Sequence, residues 1–296
     1  MNRTVAVLGP GAVGGVFALR LSAAGHHTIT VGPPDTIGMV ALAGITVEIE
    51  GELQSARPEV RERLERPVKL LLVSVKSHKL AEALERVDPE TVANGVVVPL
   101  MNGLEHLDPL REHFGPRVAA ASLARFEAYR VGRVQIVQPH PGGVVTMASE
   151  ELTEEELADA AEIIRGAGFE VNIDTDEKSV LWRKAARLAV LSAATSLTRR
   201  PVGALREDPE WRPRMEAAIA EACAVAAADG VNLIPSSQWT LITSMDYDLT
   251  TSTARDVEQG KPSELDAIAG SVVRAGQRLG VPCPVLSELV SEALAA

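Results

Sequence analysis

Gly9-Pro10-Gly11-Ala12-Val13-Gly14-Gly15 follows the apolar run Val5-Ala6-Val7-Leu8 and opens a pattern of apolar residues at Val13, Val16, Phe17, Leu19 and Leu21. Strand, glycine turn and helix in that order predict a helix N-terminus whose free N–H groups aim at a pyrophosphate. Three glycines then serve three purposes, with Gly9 making the turn, Gly11 letting backbone approach phosphate closely and Gly14 packing the helix on the strand. A GxGxxG pattern alone is weak. Its weight comes from the apolar run before it and the amphipathic helix after it. A glycine turn that binds nothing is the bland alternative.

The chain has 296 residues, long for one domain and natural for two. A dinucleotide-binding domain over 1–176 and a helical substrate domain over 177–296 are expected. The net charge of −11 argues against nucleic acid or an anionic membrane surface as partner, since either favours a basic face. Cys223 and Cys283 form no CxxC pair, and no His/Cys cluster has metal-ligand spacing, so no metal is expected. No stretch approaches the roughly 18 apolar residues of a membrane span, and the protein reads as cytoplasmic.

Downstream of the first helix, Thr28–Val31 predicts a second strand, followed by Gly32-Pro33-Pro34-Asp35. An acid at that strand end would suit the ribose of NAD, and an Arg the 2′-phosphate of NADP. Neither stands there, and Asp35 follows two prolines, so this position leaves the preference open. Ile45, Val47 and Ile49 alternate around Gly51 in what reads as a small exposed hairpin over 45–60. Leu70–Val75 predicts a fully covered parallel strand ending at Lys76, with Lys79 on a helix over 79–87. Either ammonium could serve a phosphate at the ligand-binding edge of the sheet, and a solvated surface role is the alternative. Val96–Leu100 repeats the pattern and ends at Asn102-Gly103, where Asn102 is either a turn-former or a hydrogen-bonding partner of cofactor or substrate. Segments 118–123, 133–137 and 144–147 read as antiparallel hairpin partners, and a helix over 153–166 and a strand over 169–173 close the domain.

From residue 177 the pattern is helical, with helices expected near 177–197, 211–229, 236–245, 264–279 and 285–294. Lys184, Leu188 and Ser192 recur every fourth residue and share a face. If that face meets the cleft between the lobes, Lys184 is placed to donate a proton; otherwise it is a surface lysine flanked by ordinary helix charges, Arg183 and Arg187. Ser263 and Asp266 suggest a capping box that puts Glu264 in a first turn, a structural role that leaves room for contact with a substrate hydroxyl.

The motifs Gly9-x-Gly11-Ala12-x-Gly14-Gly15, Val75-Lys76, Asn102-Gly103 and Trp182-Arg183-Lys184, with the spaced set Ser252, Asp256, Gly260, Glu264, Asp266 and Gly270, resemble the ketopantoate reductase (2-dehydropantoate 2-reductase) family. They run from residue 4 to about 286. The resemblance implies an α/β class fold: a Rossmann-type, doubly wound sheet domain followed by an all-α domain. It also implies NADP(H)-dependent reduction of a small 2-keto acid to the 2-hydroxy acid. Lys184 would be the general acid, with Glu264 beside it. Gly9, Gly11, Ala12, Val13, Gly14, Lys76, Lys79 and Asn102 would serve the cofactor. Asn102, Lys184, Ser192, Ser252 and Glu264 would serve the substrate.

The chain departs from that family's pantoate-forming pattern. Leu188 and Ser192 stand where asparagines are usual, which makes the substrate site more apolar, and Pro33 replaces an arginine expected of NADPH-preferring members. Lys79 partly compensates, so NADP(H) is still expected over NAD(H). The Ala-rich helices offer a surface for a homodimer. A weakly catalytic dinucleotide sensor of the same fold is the alternative reading.

Overall fold

In the computed structural model, which describes residues 2–131 and 135–296, the first apolar run forms β1 (Thr4–Leu8), buried from Val5 onward. The chain turns at Gly9 into α1 (Ala12–Ala23) and returns as β2 (His27–Val31). Then come α2 (Pro34–Ala43), β3 (Ile45–Ile49), β4 (Glu52–Ala56), β5 (Glu59–Arg61), β6 (Leu70–Val73), α3 (Leu80–Leu84) and β7 (Val96–Pro99). Among the described residues β5, β2, β1, β6 and β7 make one sheet in that order, with every pairing parallel. The continuous burial of β6 and β7 is what a parallel sheet covered on both faces requires. This is the mixed α/β, Rossmann-like arrangement expected.

Continuing, α4 (Leu107–Phe114) precedes β8 (Ala120–Ala124), β9 (Tyr129–Val131), β10 (Gln135–Gln138), β11 (Val144–Ala148), α5 (Glu154–Gly166) and β12 (Glu170–Ile173). Residues 133 and 134, the start of the strand expected over 133–137, lie outside the described residues. The antiparallel expectation holds for β8 and β11, although β9 and β10 intervene and the pair is not a hairpin. It fails for β10, which pairs parallel with β3 and antiparallel with β9. Pro139 and Pro141 in the connection to β11 have no N–H for a ladder, and the two strands part into different sheets.

Two further expectations are corrected. The 45–60 segment is not simply exposed: Ile45, Val47 and Ile49 are buried in the core, and it is β4 that faces solvent. The helix expected over 79–87 is a 3-10 turn (Ser77–Lys79) followed by the short α3. The core of this unit includes Phe17 of α1, stacked on Phe169 with ring centroids 3.9 Å apart. The capping box at the start of α5 is complete, with Thr153 and Glu156 each accepting the other's backbone N–H.

The remaining helices are α6 (Glu177–Thr198), α7 (Val202–Arg206), α8 (Trp211–Ala228), α9 (Pro235–Thr243), α10 (Ser252–Glu258), α11 (Ser271–Leu279) and α12 (Pro284–Ala295). Ala-rich faces of α6 and α8, with Trp182, Ile219 and Leu286, make a separate core. The indole N–H of Trp182 donates to Asp229 Oδ2 at 2.7 Å, which satisfies the polar end of a buried ring. The helix expected from 264 begins differently. A π-turn spans Asp266–Gly270 with no side-chain cap, so the capping box of Ser263 and Asp266 is not formed, and the Asp266 carboxylate instead accepts from Arg274.

Two compact units result: residues up to Met101 with His106–Val180, and Asn102–Glu105 with Leu181–Ala296. The short segment 102–105 counts with the helices because its side chains are anchored there. Glu105 receives three bonds from Arg274, at 2.7, 3.0 and 3.2 Å.

Candidate functional site

In the first unit the carboxyl ends of β1, β2 and β6 open onto a cavity of about 400 Å³. Leu8–Gly11, Gly32, Pro33 and Ser74–Lys76 form its strand-end walls, and Thr36, His78, Lys79, Glu82, Ala83, Arg86 and Arg130 complete it. Gly9 adopts φ 87°, a left-handed conformation that favours glycine. Its N–H donates to Val31 O at 2.9 Å, and its own carbonyl accepts from Ser74 Oγ at 2.8 Å. Arg130 closes the loop from the far side, donating through Nη2 to Pro10 O at 2.5 Å.

The glycines divide as their spacing predicts. A Cβ on Gly14 would strike the carbonyl of Gly9 and the hydroxyl of Ser74, so the helix can lie this close to the strands only with glycine there. A Cβ on Gly11 would meet nothing nearer than 4.0 Å. Gly11 is also the N-cap of α1 and has no side-chain cap, so the first N–H groups of the helix, at Ala12, Val13 and Gly14, have no capping side chain. Free donors, open space over Gly11 and a lining that carries Lys76, His78, Lys79, Arg86 and Arg130 against one acid fit the diphosphate of a dinucleotide.

That acid, Glu82, is engaged. Its carboxylate pairs with Arg86 at 3.2 Å and with Lys79 at 3.8 Å. Lys79 is exposed and Lys76 half-buried. Asp35 stands exposed in the first turn of α2 and is not part of the lining. Arg86 and Arg130 went unrecognised in the sequence, where nothing separates them from other surface charges; only the sheet topology brings them to this edge.

In the second unit Lys184 Nζ donates to Asn102 Oδ1 at 2.7 Å. Burial pushes the lysine pKa down to about 8, the neighbouring Arg187 guanidinium pushes the same way, and Glu264 opposes both. Asn102 can reach Lys184 because Gly103, at φ 91°, lies against the carbonyl of Ala267, where a Cβ would collide. Glu264 is half-buried two residues before the π-turn, and its carbonyl accepts from Ile268 N at 2.9 Å. Asn102, Lys184 and Glu264, far apart in the chain, therefore share one neighbourhood.

The other expected substrate residues stand differently. Ser192 is wholly buried, and its hydroxyl has no hydrogen-bond partner among the described residues. Ser252 is exposed at the start of α10, whose cap is supplied by Thr251. Leu188, one turn after Lys184, is half-buried. Arg187, expected to be an ordinary helix charge, is half-buried too and donates to Gln238 Oε1.

The chain is similar to known proteins along nearly its whole length. Residues 5–150 match the family model described as Ketopantoate reductase PanE/ApbA, and residues 176–295 match that of its C-terminal part. A 2-dehydropantoate 2-reductase of Mycobacterium tuberculosis is 27% identical over 299 residues, covering 98% of this chain and 96% of its own. The uncharacterized oxidoreductase YkpB of Bacillus subtilis is 26% identical, covering 95% of this chain and 94% of its own. Among solved structures, a PanE/ApbA family ketopantoate reductase from Ralstonia eutropha has a TM-score of 0.88 at 27% identity, covering 99% of this chain and 97% of that one. D-mandelate dehydrogenase with NADH and anilino(oxo)acetate has a TM-score of 0.89 at 18% identity, covering 99% and 97%, and shares the fold.

Proposed function

Since the chain belongs to the ketopantoate reductase family, we propose that it is an NADP(H)-dependent reductase that converts a small 2-keto acid to the 2-hydroxy acid. The observation that carries this reading is the Lys184–Asn102 hydrogen bond of 2.7 Å, made by a lysine whose pKa burial has brought to about 8. A general acid works best when its pKa lies near the working pH, and burial moves that of Lys184 down toward neutrality.

When bound, a nicotinamide dinucleotide supplies the hydride. In this reading Gly9, Gly11, Ala12, Val13 and Gly14 hold the diphosphate through backbone N–H groups and a side-chain-free surface, with Lys76 adding charge at the end of β6. Lys79 and Arg86 take the additional phosphate of NADP(H) where Pro33 offers no cation.

Lys184 donates its proton to the keto oxygen as negative charge develops there, and its ammonium stabilises that charge before transfer is complete. Asn102 orients the ammonium by accepting one of its N–H bonds. Glu264 favours the charged lysine and accepts from a substrate hydroxyl, with Ser252 as a further donor. Leu188, in place of an amide, favours a substrate whose carbon skeleton is apolar at that point.

The test is to titrate the protein with NADPH and NADH and then follow nicotinamide absorbance with a panel of 2-keto acids. Tighter binding of NADPH, turnover of at least one acid and a loss of roughly 100-fold or more in Lys184→Ala support the proposal. Turnover unchanged within a few-fold in Lys184→Ala would remove Lys184 as the acid.

A further inference from the structure

Arg183 and Arg187 carry the same charge on α6, yet Arg183 is exposed and Arg187 half-buried. The Arg187 guanidinium folds back along the helix, where Nη1 donates to the carbonyl of Arg183 at 3.1 Å. That contact puts it level with the turn that carries Lys184. The same nitrogen donates to Gln238 Oε1 at 2.5 Å, and Gln238, on α9, is only 6% exposed. A guanidinium only donates, so the carbonyl end of the glutamine is the acceptor and the amide fixes the arginine in place.

One edge of the guanidinium is thus occupied. Nε and Nη2, the edge that receives a carboxylate in side-on bidentate pairs, make no hydrogen bond to the described residues, and no carboxylate among those residues pairs with Arg187. Burial lowers the pKa of Arg187 as it does that of Lys184. Two partly desolvated cations three positions apart on one helix are neighbours, with Glu264 as the acid that acts on the lysine. A half-buried charge held rigidly without a counter-charge is costly unless a ligand provides one.

We propose that Arg187 binds the carboxylate of the substrate through Nε and Nη2 while Lys184 addresses the adjacent keto oxygen. The assignment rests on the keto acid reductase reading and makes that reading more specific. A 2-keto acid carries its two polar groups on neighbouring carbons, and the helix presents two cations on neighbouring turns to meet them. Gln238 is the positioning residue, since it holds Nη1 and so turns the open edge outward.

The experiment compares kcat/KM for a series of 2-keto acids with that for their methyl esters, which keep the carbonyl and lose the charge, in the wild type, Arg187→Met and Arg187→Lys. The acid-to-ester preference is expected to fall roughly 10- to 150-fold in Arg187→Met, the worth of a hydrogen-bonded charge pair, mostly through KM. Arg187→Lys restores part of it. NADPH affinity, measured by fluorescence, serves as the control for folding. An unchanged acid-to-ester ratio in Arg187→Met, with the wild type active, overturns the role of Arg187 and leaves the reductase reading standing. Failure of the wild type to reduce any acid removes that reading and this assignment with it.

Discussion

Replacing Lys184 by methionine should make the protein more stable while it abolishes turnover. The lysine pKa falls from its ordinary 10.5 to about 8 on folding, and at about 1.4 kcal/mol per pH unit that costs roughly 3 kcal/mol when the lysine is charged. Halving the figure for residual hydration of the half-buried side chain leaves roughly 1.5 kcal/mol. Methionine has similar length and no charge, so it recovers this cost but strands the Asn102 carbonyl, a loss of about 1 kcal/mol. The net expectation is a gain of about 0.5 kcal/mol at pH 7, or about 1–2 °C in Tm.

The sign has a pH signature. A group whose folded pKa is depressed binds more protons in the unfolded state between the two values, so wild-type stability relative to the variant rises from about pH 8 to about pH 10.5. The advantage of Lys184→Met is therefore complete below pH 8 and disappears above about 10.5. Urea unfolding followed by the fluorescence of Trp182, Trp211 and Trp239, all in the helical unit, measures it. A variant less stable than wild type at pH 7, or a difference that does not change with pH, would refute the idea that Lys184 is held at an electrostatic cost.

Three further outcomes are expected. If Lys184 is the general acid, reduction should decline as pH rises through about 8, where it loses its proton, and initial rates between pH 6 and 10 with saturating NADPH show it. Gly14→Ala should lose roughly 1–3 kcal/mol of stability by collision with Gly9 and Ser74, whereas Gly11→Ala should fold normally and bind NADPH about tenfold more weakly; thermal melts and nucleotide titration separate the two. Glu82→Gln releases Lys79 and Arg86 and should raise the ratio of NADPH to NADH affinity roughly two- to fivefold, read by paired fluorescence titrations.

The glycine turn was legible because three positions carry three separate demands: a positive φ at Gly9, open space at Gly11 and a tight packing contact at Gly14. The long helices were legible from their period. The beginning of the helix at 264 was not. A π-turn at Asp266–Gly270 shifts hydrogen bonds by one residue and leaves no mark in composition, so the apparent capping box misled.

The place of Asn102 was half legible. Its position after a parallel strand marked it as a ligand-edge residue, yet its attachment to the helical unit depends on Glu105 meeting Arg274 across 169 positions of sequence. Arg187 was illegible for a similar reason. Nothing local separates it from Arg183; Gln238, brought in from α9, decides that it is held and half-buried.

Deuteride transfer reports directly on whether hydride passes from nicotinamide to a 2-keto acid in this protein. The enzyme is incubated with NADPH carrying deuterium at C4 of the nicotinamide and with the 2-keto acid it consumes fastest, and the product is analysed by mass spectrometry. A 2-hydroxy acid one mass unit heavier, with deuterium at C2, is expected from the wild type and no such product from Lys184→Ala. Absence of a deuterated hydroxy acid across the whole panel, in protein that binds NADPH, would contradict it.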